Sequence, residues 1–158
     1  MTRAWITTSS PHSEAIVNSL NAACEEGFVP DTIYVMKNPE VADAVQDSLS
    51  IATEIIEAYG GDEPKIHITS IEDETSFELI HDHVRNAITE VNDAGGSAAV
   101  DITPGRKFMS AIAFIAGMQY EADHVYYFYL SASQHYGRLY PNIPRSAVQL
   151  IDFREVFA

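Results

Sequence analysis

Apolar residues recur along this chain in two alternating patterns, short continuous runs and longer stretches with a period near 3.6. Ala4 to Thr8, Thr32 to Met36 and Lys65 to Ser70 read as the first three strands. Between the first two lies a helical stripe of Ile16, Leu20 and Ala23, with Ser10 placed to cap it, Pro11 at its first position and Gly27 at its end. Asn38-Pro39 repeats that start, and Val41, Val45, Leu49, Ala52 and Ile56 mark a long helix running to Gly60-Gly61. Thr75-Ser-Phe-Glu78 matches a capping box ahead of Leu79 or Ile80, Val84, Ala87, Ile88 and Val91, and Gly95-Gly96 stops that helix. Ala98 to Ile102 is a fourth strand, His124 to Leu130 a fifth and Ala147 to Phe153 a sixth. Strands alternating with helices predict an α/β fold, a doubly wound, mostly parallel six-stranded sheet with helices on both faces, Rossmann-like and of order 3-2-1-4-5-6.

In that order strands one and four are neighbours and the winding reverses between them, so their carboxyl ends flank the crevice where such folds bind ligands. The loop after strand one carries four hydroxyls in a row, Thr7, Thr8, Ser9 and Ser10, more than capping and turn formation need. The loop after strand four, Asp101 to Arg106, delivers Gly105 onto a helix N-terminus, where unpaired N–H groups and the helix dipole favour an anion. Thr103 adds a hydroxyl, and Arg106 and Lys107 add two of the few cations in the protein. Strand–glycine turn–helix units also occur with no ligand, and this one is neither a P-loop nor a dinucleotide fingerprint.

The following helix is apolar around its circumference from Phe108 to Met118, which predicts burial on both sides. One side packs on the sheet; a second subunit, or the 131–146 segment, covers the other.

With 46% hydrophobic and 20% charged residues, the 158-residue chain fits one domain with a proper core. No apolar run is long enough to cross a membrane, and the N-terminus has no signal-peptide pattern, so a cytoplasmic protein is expected. The single cysteine, Cys24, excludes a disulfide framework and falls on the apolar side of its helix. Twenty-three acids against nine bases give a formal charge of −14, with three lysines. That charge argues against general DNA or RNA binding and fits a protein adapted to high salt. His81 and His83 are two apart on a helix and cannot share a metal, so neither a metal nor a cofactor is expected. His12 reads as a solvated residue at a helix start, and Glu72-Asp73-Glu74 as a solvated acidic run favourable to a helix dipole. His135 and Tyr136 lie in the long loop beside strand five, where tyrosines are able to stack on bases; Tyr126, Tyr127 and Tyr129 read as strand packing.

On these residues the chain resembles the CARF family, the CRISPR-associated Rossmann-fold domains. The family's fourth-strand motif, approximately Asp-x-Thr-Gly-Gly-x-Lys before an apolar helix, is matched by Asp101, Thr103, Gly105 and Lys107, with Pro104 in place of the first glycine. Its hydroxyl-rich first loop corresponds to Thr7 to Ser10. The resemblance implies a homodimer whose facing crevices bind a cyclic oligoadenylate, a second messenger of type III CRISPR defence. It makes Thr7, Thr8, Ser9, Ser10, Asp101, Thr103, Gly105, Arg106 and Lys107 the ligand-binding residues. Family members commonly carry an attached effector; with the chain ending at Ala158, a separate effector protein is expected. An alternative is a metal-independent ring nuclease in which the substrate 2′-hydroxyl attacks the adjacent phosphate, with Lys107 stabilising charge and Ser9 or Ser10 positioning the attack. No histidine or carboxylate is clearly placed as its general base. A third reading is an unrelated Rossmann-like domain that binds a mononucleotide or serves as a scaffold.

Overall fold

A computed structural model describes residues 1–158. The strands are β1 (Arg3–Ile6), β2 (Thr32–Lys37), β3 (Lys65–Ser70), β4 (Ser97–Asp101), β5 (His124–Leu130) and β6 (Val148–Asp152). The helices are α1 (Ser13–Glu25), α2 (Ala42–Ala58), α3 (Phe77–Asp93), α4 (Lys107–Gln119) and a short α5 (Phe153–Val156). The six strands form one sheet in the order β3-β2-β1-β4-β5-β6, with only β6 antiparallel to its neighbour. The expected order is therefore the observed one.

Hydrophobic strength sets which strands are central. In β1 and β4, Ala4, Trp5, Ile6, Ala98, Ala99 and Val100 are all buried, as a parallel sheet covered on both faces requires. Trp5, Ile33 and Val35 on one face pack with Leu20, Val45 and Ile56 of α1 and α2. Ile6 and Val100 on the other pack with Val84, Ile88 and Ala113 of α3 and α4. Cys24 lies in the first layer, and burial pushes its thiol up to about 12. Ile6 stands opposite both Tyr34 and Val100. That register makes the chain leave β1 and β4 at the same height, so Thr7 emerges beside Asp101.

Three local expectations are corrected. Ser10 does not cap α1, which starts at Ser13 with His12 as its N-cap; Ser10 Oγ instead accepts the His12 N–H at 3.1 Å, and Pro11 lies outside the helix. The Thr75–Glu78 capping box is not formed. Asp73 makes the turn by accepting both the Thr75 N–H (2.9 Å) and the Thr75 hydroxyl (2.8 Å), and α3 begins at Phe77. Phe153 belongs to α5 rather than to the last strand. The Asn38 cap does form, with its side chain accepting the Val41 N–H at 3.2 Å at the head of a 3-10 turn that leads into α2.

The 131–146 segment does not cover α4. Tyr140 and Ile143 join Ala22 of α1 and Phe128 of β5 instead. On α4 only Met109, Ala113, Ala116 and Gly117 are buried, Ile115 is 55% exposed, and Phe77 on α3, which lines the same surface depression, is about half exposed. Phe153 and Phe157 pack on Phe114 and Phe77 on Phe108, while Ala111 and Ile115 stay uncovered within the chain. No helix is long and apolar enough to cross a membrane.

Candidate functional site

The hydroxyl loop and the Asp101–Lys107 loop meet at the ends of β1 and β4 and are bonded to each other. Thr8 Oγ1 donates to the Pro104 carbonyl at 3.1 Å, and Thr7 Oγ1 to Asp101 Oδ2 at 3.4 Å. Asp101 is fully buried and takes two further donors, the Ser19 hydroxyl at 2.7 Å and the Thr103 N–H at 3.0 Å. Burial raises its carboxyl to about 6, against the pull of its bonds from Ser19, Thr103 and Thr7 toward the charged form. Asp101 thus faces the protein and shapes both loops from below.

A second buried group does the same from the other side. His83 is 5% exposed, with Nε2 2.8 Å from the Thr7 carbonyl and Nδ1 2.8 Å from Thr69 Oγ1. A carbonyl only accepts, so Nε2 carries the proton and Nδ1 accepts from Thr69. Burial lowers the imidazole to about 4, offset in part by the Thr7 bond, and it is neutral at pH 7. Thr103 Oγ1 accepts the Phe128 N–H at 2.9 Å. A polar belt therefore runs from Thr69 on β3 through His83, Thr7, Asp101 and Thr103 to β5. His81, by contrast, points at Tyr120, so the two histidines diverge as their spacing requires.

Gly105 is held at φ +90°, and a Cβ there would lie 2.8 Å from Met109 Sδ, 3.0 Å from the Ser9 carbonyl and 3.1 Å from Thr8 Oγ1. Both the conformation and the space demand glycine. Pro104, without an N–H, contributes its carbonyl as the acceptor for Thr8, so the loss of the motif's first glycine is absorbed into the joint between the loops.

Two clefts open above this floor, with His12 in the wall of both. One, of about 350 Å³, is lined by Ser9, Ser10, Asn38, Glu40, Glu74, Gly105 and Arg106 among others. The other, of about 280 Å³, lies between Thr103, the end of β5 with Tyr127 and Tyr129, the start of α1, and Tyr136 to Arg138. Its outer wall is fixed by buried Asn18, which donates to the Arg138 carbonyl at 2.8 Å and accepts the Tyr140 N–H at 2.9 Å. Tyr140 in turn donates to Glu25, and the Arg145 guanidinium sits 3.6 Å over its ring.

The nine sequence-derived residues divide by exposure. Thr7, Thr8 and Asp101 are buried in the joint, and Ser9 and Ser10, also mostly buried, line a cleft. Thr103 is half-buried, while Gly105, Arg106 and Lys107 are exposed. Arg106 is paired with Glu74, Nε to Oε1 at 2.8 Å. Lys107, the first residue of α4, has no ion pair and lies outside both cleft walls. Sequence reasoning missed Asn18, Glu40, Glu74 and Arg138 as cleft residues. No local signal marked them: Asn18 falls on the opposite side of α1 from the Ile16, Leu20 and Ala23 stripe, and all four are brought in by long-range folding.

The fold is shared with solved structures at low sequence identity. Can2 from Sulfobacillus thermosulfidooxidans in complex with cyclic tetra-adenylate matches at TM-score 0.59 and 13% identity, over 80% of this chain and 32% of that one. A type III CRISPR defence DNA nuclease activated by cyclic oligoadenylate matches at 0.58 and 13%, over 83% and 19%. Csm6 from Enterococcus italicus bound to cyclic hexa-2′-fluoro-hexa-dAMP matches at 0.65 and 12%, over 99% and 44%. The chain thus spans less than half the length of each of these proteins. No family model and no curated protein matches it. The fold that the CARF resemblance implies is the fold found.

Proposed function

We propose that this chain is a dimeric sensor domain that binds a cyclic oligoadenylate of type III CRISPR defence. The observation that carries the reading is the joining of the hydroxyl loop to the Asp101–Lys107 loop at the switch point, on a fold shared with proteins whose structures hold, or whose activation needs, such a ligand. The phosphates meet the Gly105–Lys107 turn and the α4 N-terminus, where backbone N–H groups and two cations offset the acidic surface. The bases enter the tyrosine-lined cleft, where Tyr136 and Tyr129 offer ring faces for stacking. The uncovered face of α4, with Ile115 and neighbouring Phe77, is the two-fold contact. Phe77 and Phe108 meet edge to face near the α4 N-terminus, so a contact along this face draws two sites together.

Incubation with cyclic tri-, tetra- and hexa-adenylate in molar salt, followed by calorimetry and chromatography of the nucleotide, tests this. Binding of one ring per two chains, with the ring intact, is expected. Linear products would make the protein a ring nuclease, and no binding of any ring would refute the reading.

A further inference from the structure

We propose that Glu74 limits the affinity of this site by holding Arg106 in the place of a ligand phosphate. The proposal rests on the cyclic oligoadenylate reading for the identity of the ligand, not for the contact itself.

Arg106 is the one lysine or arginine in the wall of the cleft that Ser9, Ser10 and Gly105 line, and its Nε donates to Glu74 Oε1 at 2.8 Å. A carboxylate and a phosphate offer a guanidinium the same acceptor oxygens and compete for the same donors. Glu74 is the better fixed partner. Its side chain is 27% exposed against 63% for Arg106, and its backbone is held between the Asp73 turn and the start of α3. The acidic run before α3 is therefore not only a solvated helix start, because one of its members reaches into the site. Glu40 lies in the same wall, so an arriving phosphate meets two carboxylates and a guanidinium that is already neutralised.

The contact is partly exposed, so its removal has a modest effect: about threefold to tenfold in affinity, from freeing Arg106 and deleting one repulsive charge. Three variants separate the terms: Glu74→Gln, Arg106→Gln and the double substitution. Titration with the three cyclic adenylates is expected to show tighter binding for Glu74→Gln, weaker binding for Arg106→Gln, and a smaller gain from Glu74→Gln once Arg106 is absent, because only the repulsion is then relieved. Unchanged or weaker binding by Glu74→Gln overturns the proposal, as does a gain that is undiminished without Arg106. A second readout needs no nucleotide. The Arg106 Nε–H resonance is expected to respond to inorganic phosphate at lower concentration in Glu74→Gln than in the unaltered protein. Equal responses overturn the hold by Glu74, even where no cyclic adenylate binds; that absence of nucleotide binding refutes the ligand reading instead.

Discussion

His83 and Asp101 flank Thr7, one on its carbonyl and one on its hydroxyl, and burial drives their titrations in opposite senses. Asp101 rises from 3.8 in the unfolded chain to about 6, so the folded protein holds this proton more tightly. Its contribution to stability is present below pH 3.8 and is lost as pH rises through 6. His83 falls from 6.5 to about 4, so its contribution is present above pH 6.5 and is lost as pH falls through 4. At 1.36 kcal/mol per pH unit each shift is worth about 3 kcal/mol, and the two slopes oppose each other between pH 4 and 6. Near-cancellation is expected in the unaltered protein, and single substitutions expose what it hides. Asp101→Asn leaves the histidine, so stability measured by urea unfolding at fixed salt rises by about 3 kcal/mol from pH 4 to 6.5 relative to the unaltered protein. His83→Gln leaves the carboxyl, and stability falls by about the same amount from pH 4 to 6. Stability profiles of both variants that run parallel to that of the unaltered protein would refute the opposed titrations.

Three further outcomes test the site and its assembly. Gly105→Ala places a Cβ at φ +90° within 3.1 Å of Met109, Ser9 and Thr8, and is expected to cost about 1–3 kcal/mol by chemical unfolding and to weaken cyclic adenylate binding; an unchanged unfolding midpoint contradicts this. Lys107→Ala removes an exposed cation without an ion pair, so the thermal midpoint stays put while affinity drops at least about tenfold; intact affinity removes Lys107 from the site. Ile115→Asp is expected to give monomers by light scattering at micromolar protein in high salt, and the unaltered chain a dimer; a monomeric unaltered chain overturns the α4 contact.

The limits of β3 and β5 and the order of all six strands were legible because each apolar run is bounded by glycine, proline or capping side chains. The switch point follows from that order, which is why the two loops were found together. Helix starts were less legible: Ser10 and Thr75 have capping chemistry, yet one folds back on His12 and the other is taken by Asp73. Residue type at such positions shows which bonds are available, and tertiary position decides which form. For the same reason four adjacent hydroxyls did not show that Thr7 and Thr8 turn inward. The tyrosine-lined cleft was partly foreseen in Tyr136. Its wall depends on Asn18 reaching Arg138, 120 residues away, and no local pattern encodes that contact.

The single cysteine gives the α1 layer a clock. With burial raising its thiol to about 12, Cys24 is held as the unreactive thiol at pH 7, and the residue is 3% exposed on the sheet-facing side of α1. An alkylating reagent therefore reacts only when that layer opens, and the labelling rate measures the opening frequency of one face of the sheet. Asn18, six residues earlier on the same helix, anchors the wall of the tyrosine-lined cleft. A ligand clamped by that wall slows the labelling of a sulfur it never touches, and its arrival becomes readable as a delay in thiol chemistry.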